Sequence, residues 1–132
     1  DCMRAREIIE GEAIVLAVDK ISDAQIDALE ADLKSFDVGE HDETEHWHFD
    51  DRFHLIISTA SGNVVLPRLV EELRVNARLF RLHSPLHRQR ENHDEHGEII
   101  RALRARDPVL ARDAMRAHLR SLQEDVKRAI VD

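Results

Sequence analysis

The strongest constraint on this chain is its punctuation. Ser84-Pro85 and Asp107-Pro108 each set a capping side chain directly before a proline. The first helical position tolerates proline because the N–H it lacks has no intrahelical partner there. "ISDAQI" carries a reciprocal cap, with Ser22 at the N-cap, Gln25 at the third helical position, and Ile21 and Ile26 placed to close over the turn. Gly62-Asn63 is a stop of the kind that follows a helix C-terminus. Between these marks the apolar residues recur at three- and four-residue steps, as in Phe49, Phe53, Ile56 and Ala60. No segment shows the two-residue alternation of a half-buried strand. The spacing predicts a first helix from Met3 to about Val18 and a second from the Ser22 cap to about Phe36. A third ends near Ala60, and a fourth runs from Asn63 or Leu66 to Leu82 with Pro67 in or near its first turn. A fifth runs from Ser84-Pro85 to about Arg106, and a sixth from Asp107-Pro108 to the end. The expectation is an all-α, antiparallel bundle of about six helices in a single domain, residues 1–132.

A chain of 132 residues is long enough to bury a real core in one domain. Its formal charge of −8 argues against a general phosphate-neutralising surface, so this chain by itself is not expected to hold DNA. No apolar run reaches the length of a membrane span. The single cysteine, Cys2, excludes an internal disulfide and suits a reducing compartment, here the cytoplasm.

Nine histidines are a large number for this length, and their positions carry information. Asp50 and His54 stand four apart beside an apolar stripe, and therefore on one helix face. His96 lies 11 residues before Asp107 and His118 lies 11 after it. At about 1.5 Å per residue, each sits roughly 16 Å from the hairpin turn, so the two imidazoles reach the same height. If the third helix packs against this hairpin, Asp50 and His54 complete a cluster of three imidazoles and a carboxylate around an internal pocket. Such a donor set suits zinc, with nickel, manganese or iron as alternatives. His46 is a rival ligand because it shares a face with Asp50 and His54. His83, His87 and His93 read as surface residues.

These residues resemble a family. "D-x-x-F-H" at Asp50 to His54, with Gly62-Asn63 following, is similar to the effector-binding domain of the FadR branch of GntR-type bacterial transcription regulators. "EHGEIIRALRARDPVLARDAMRAHL" fits the same pattern, with Glu-His, the Asp107 turn, Ala111, Met115 and His118-Leu119. The opening "RAREIIEGEAIVLA" resembles the family's first helix, with Arg6 three residues before Ile9-Glu10. The resemblance covers essentially the whole chain, and six helices are closer to the shorter, VanR-like subgroup. It implies that Asp50, His54, His96 and His118 bind a divalent metal. It also implies a homodimer whose DNA binding belongs to an N-terminal winged helix-turn-helix that this sequence does not contain.

A metal held this way leaves positions for a ligand oxygen, and a small organic acid gripped by an arginine is the natural effector. Arg6, Arg74, Arg81 and Asn63 are the candidate effector-binding residues, and no catalytic residues are expected. Two other readings stay open. His54, His93-Asp94 and Asp125 supply the letters of a helical HD-type phosphohydrolase, in which the metal would activate water. The bundle is alternatively a structural dimerisation module.

Overall fold

The computed structural model describes residues 2–79 and 88–131, with side chains to residue 128. They form α1 (Cys2–Ala17), α2 (Asp23–Lys34), a 3-10 turn (Ser35–Asp37), α3 (Glu43–Ala60), α4 (Leu66–Leu79), α5 (Gln89–Arg104) and α6 (Pro108–Val131). There is no strand among the described residues, and none of their helices is long and apolar enough to cross a membrane. The all-α bundle is therefore as expected. The Ser84-Pro85 start of the fifth helix, the end of the fourth at Leu82, and Arg81, His83 and His87 lie outside the described residues.

The local signals act as their chemistry requires. Ser22 Oγ accepts from Gln25 N at 3.0 Å while Gln25 Oε1 accepts from Ser22 N at 2.9 Å, and Ile21 and Ile26 are both buried beside this cap. Asp107 Oδ1 accepts from the backbone N–H of Val109 and Leu110, satisfying the first free donors of α6. The second helix is shorter than the apolar pattern suggests. It ends at Lys34, and the chain tightens into the 3-10 turn that carries Phe36.

One turn fixes the height of the site. Arg106 takes the left-handed conformation, φ 54°, between α5 and α6, and Asp107 N reaches back to Ala102 O. That conformation costs a non-glycine residue about 1–2 kcal/mol. The arginine offsets the cost with its side chain, whose Nη1 donates to the carbonyls of Val18 and Ile21 and whose Nη2 donates to Asp23 at 2.7 Å. The α5–α6 hairpin is thereby tied to the α1–α2 turn.

α1 lies at the centre, packed most extensively on α6 and also on α3 and α4, while α5 contacts α6 and α2. Ile14, Ala17, Val18, Ile21, Ile26, Leu29, Phe53, Ile57, Ile99, Leu103, Ala111 and Met115 form the main core. Met3, Leu122 and Val126 form a second, small apolar cluster. Arg6, Glu7 and Glu10 are buried between the stretches of α1 that feed these two clusters. Arg6, one of the candidate effector-binding residues, is only 3% exposed. Evenly apolar helices would have built one continuous core, and this layer of buried charge interrupts it.

Candidate metal centre

Three helices contribute to the layer. Asp50 and His54 come from adjacent turns of α3, His96 from α5 and His118 from α6. One ligand atom from each of the four lies within 4.8 Å of all the others. Two metal–ligand bonds of about 2.1 Å span at most about 4.2 Å, so a slight contraction would close the group on one cation. Asp50 Oδ1 is 3.4 Å from His54 Nε2 and 3.2 Å from His96 Nε2. The His54 and His118 rings lie nearly parallel, 5.5 Å apart, and His96 meets His118 edge-on at 4.8 Å. Phe53 packs against His96 at 4.3 Å between centroids, which fixes that ring from below.

The outer nitrogens decide which atoms face inward. His54 Nδ1 is 2.5 Å from Glu10 Oε1, and His118 Nδ1 is 2.7 Å from Glu95 Oε1. Ionised carboxylates only accept, so both Nδ1 atoms carry the proton, and in its neutral form each ring presents the Nε2 lone pair to the cluster. Nε2 of His54 and of His96 is buried without a hydrogen-bond partner among the described residues. Buried polar atoms are rarely left so, and a cation between them would meet the need. The donor set of imidazole and carboxylate, without thiolate, fits a borderline or hard divalent ion.

For His96 and His118 the electrostatics agree with this. Burial pushes the His96 imidazole down to about 4, helped by its imidazole neighbours and resisted by Asp50. His118 is lowered as well, chiefly by burial. Both are neutral, and so able to ligate, at pH 7. Burial also works against the charged form of His54, but the carboxylates of Glu10 and Asp50 outweigh it and raise its pKa. Burial opposes ionisation of Asp50, yet Arg74 and His54 hold its carboxyl well below the usual range. Burial opposes Glu95 too, while His118 and Arg88 together bring it down to about 2.

The arginines expected near an effector divide. Arg6 Nε donates to Glu10 Oε2 at 2.8 Å, and its Nη2 has no partner among the described residues. Arg74 Nη2 donates to Asp50 Oδ2 at 2.5 Å and to Asp51 Oδ1 at 2.9 Å, while Nη1 is buried without such a partner. Both guanidinium groups line a cavity of about 40 Å³ next to Asp50, Trp47, Asn92 and Leu122. A larger cavity of about 620 Å³, walled by Phe36, Phe49, His46 and His93, reaches Asp50 and His96 from the other side. Asn63 is not brought to either cavity. It is exposed, and its Oδ1 accepts from Val65 N at 2.9 Å in the turn after Gly62. Arg81 lies outside the described residues.

His46 does not join the cluster; it stacks on Phe36 at 4.7 Å and lines both cavities. The letters of the phosphohydrolase reading also fall apart. His93 pairs with Asp37 at 3.2 Å, Asp94 is exposed, and Asp125 is bound to Arg88. Sequence reasoning missed Glu10 and Glu95, the two carboxylates behind the imidazoles. Glu95 was within reach of the hairpin argument, since it lies 12 residues before Asp107 and His118 lies 11 after.

The family model described as FCD domain matches residues 1–121. Among curated proteins, the chain is 22% identical over 128 residues to the uncharacterized HTH-type transcriptional regulator YcbG of Bacillus subtilis (strain 168), covering 97% of this chain and 54% of that protein. The chain thus spans about half the length of this relative. Among solved structures, E. coli McbR/YncC superposes with a TM-score of 0.81 at 20% identity, over 98% of this chain and 64% of that one. Streptococcus agalactiae GntR gives 0.75 at 24% identity, over 95% and 57%. At these identities the two structures speak to the fold.

Proposed function

Because the chain belongs to the FCD domain family, we propose that it is the ligand-sensing regulatory domain of a GntR-type transcription regulator. Residues 1–132 act as one effector-binding and dimerisation unit. Asp50, His54, His96 and His118 hold a divalent cation, zinc in first place, with nickel, manganese or iron as alternatives. Bound there, the cation supplies concentrated positive charge and an open coordination position. The observation that carries this reading is the pair of buried Nε2 atoms, without a hydrogen bond among the described residues, that converge on the Asp50 carboxylate.

The effector is a small organic acid. Arg6 Nη2 and Arg74 Nη1 have hydrogen-bonding capacity left over, and they line one cavity beside Asp50. Its volume, about 40 Å³, is room for a carboxylate group rather than a whole metabolite, by comparison with the roughly 10–15 Å³ a single water needs. His46, Asp50 and Asn92 line this cavity and the larger one, so an acid with its head between the arginines has space for its body beyond them. Charge-assisted hydrogen bonds from guanidinium fix the head.

Such an acid acts as a signal only if it binds two arrangements of the bundle unequally. In a symmetric dimer that difference reorients attached DNA-binding domains, whose two-fold axis matches a palindromic operator. DNA contact falls to a winged helix-turn-helix outside this sequence, and the regulator works in the cytoplasm where its operator is. Calorimetry tests the reading. Chelated protein titrated with zinc should show one tight site, lost in His96→Ala and His118→Ala and kept in His93→Ala. Zinc-loaded protein titrated with a panel of mono- and dicarboxylates should bind at least one, and chelation or Arg74→Met should abolish that binding. Acid binding that ignores chelation would sink the mechanism. Zinc binding that only raises the melting temperature, with no acid bound, would favour a structural bundle.

A further inference from the structure

Arg88 stands directly before α5 and is 1% exposed. A guanidinium buried that deeply is costly unless its N–H groups are met. Here Nε donates to Asp125, Nη1 to Asn92 and to Glu95 Oε1 at 2.9 Å, and Nη2 to Ser121 and to Glu95 Oε2 at 2.8 Å. Glu95 Oε1 is also the acceptor for His118 Nδ1. One carboxylate is therefore shared between the fork of an arginine and the imidazole of a cluster histidine.

A bidentate fork fixes the plane of the carboxylate it grips. Glu95 consequently cannot turn to follow His118; the imidazole must sit where Glu95 sets it, with Nε2 toward the cluster. The other arms of Arg88 hold Ser121 and Asp125, three and seven residues beyond His118 on one stripe of α6. Beyond Leu119, which still joins the main core, the apolar contacts of this part of α6 are those of Leu122 and Val126 in the small cluster with Met3. The Arg88 network ties this stretch to the start of α5 through Ser121 and Asp125.

We propose that Arg88 is a positioning residue for His118, and that through it occupation of the four-residue cluster and seating of α6 beyond His118 form one linked equilibrium. This rests on the metal reading above. Zinc affinity by competition titration and amide hydrogen exchange over residues 119–128 test it, in wild type, Arg88→Met, Glu95→Gln and the double variant. Each single change should weaken zinc about 10–100-fold, as loss of an outer partner of a ligand does. The double variant should lose no more than the worse single one, because both act through the same imidazole. Zinc should slow exchange in α6 of the wild type and leave it unchanged in Arg88→Met. Additive losses, wild-type zinc affinity in Arg88→Met, or full zinc protection of its α6 would each overturn the proposal. If Arg88→Met does not fold, Asp125→Ala keeps the guanidinium and its grip on Glu95 while removing one of its two holds on α6. Zinc protection should then shrink more than zinc affinity, and undiminished protection would be fatal. A wild type that binds no zinc ends the functional reading and this inference together. A wild type that binds it while Arg88→Met and Glu95→Gln bind it as tightly as the wild type ends only this one.

Discussion

The two ends of α1 are buried to the same depth by opposite chemistry. Ile14 and Ala17 are fully buried among aliphatic neighbours, whereas Arg6, Glu7 and Glu10 are at most 6% exposed among charges. Apolar burial stabilises without regard to orientation, at about 25 cal/mol per Å². Buried charge is tolerated only if each group finds its partner, and even then the desolvation cost can match or exceed the gain. The apolar end should therefore be indifferent to metal and mild acid, and the charged end conditional on both.

Glu10→Ala would strain this comparison most. It strips the carboxylate from both Arg6 and His54 and leaves an uncompensated buried cation, at a cost of about 3–5 kcal/mol in urea denaturation. A loss below 1 kcal/mol would mean that the charged layer is wetter than its burial indicates. Leu103→Ala, in the main core, should cost about 2–5 kcal/mol, and by the same amount in zinc and in chelator. A metal-dependent loss would show that the two ends are not separate.

His96→Leu should separate function from stability. Zinc binding falls below detection, while the chelated protein changes by about 1 kcal/mol or less, since a well-packed apolar residue replaces a buried polar one. The same variant tests the pH dependence. His96 has a folded pKa of about 4 against 6.5 for the free side chain, so between those values the unfolded chain binds more protons. Stability of the chelated wild type therefore falls as pH drops from 6.5 toward 4. His118 acts in the same direction, while the raised His54 opposes it, its contribution being full in acid and lost as pH rises through its folded pKa. His96→Leu should flatten the acid slope; a steeper one would contradict the assignment. The smallest effect belongs to the cap: Ser22→Ala should cost about 1 kcal/mol, equally at pH 5 and pH 7 and with or without zinc.

Much of the bundle was legible because its signals are local. Ser22 with Gln25, and Asp107 before Pro108, mark helix starts through hydrogen bonds that span three residues. His96 and His118 could be set at one height because a hairpin converts equal spacing into equal rise. Other features had no such signal. Glu10 meets His54 across 44 positions, and only the Ile9-Glu10 pair quoted for the family resemblance pointed toward it. Arg74 was a candidate for the effector, but nothing local showed that it would be largely buried against Asp50 and Asp51, which follows from α4 packing back on α3. Asn63 looked available for a pocket, but the turn after Gly62 takes its side chain.

What the sequence determined alone was the set of helices, the height of the α5–α6 histidines, and the pairing of Asp50 with His54 on one face. These depend on φ, caps and a rise of about 1.5 Å per residue, all set within a few positions. Only the tertiary structure decided which carboxylate stands behind each imidazole, which arginine hydrogens stay unmet, and that Arg88 joins Glu95 to α6. Those depend on contacts of a few ångströms between segments distant in the chain, where one helical turn of register would pair every charge with a different neighbour.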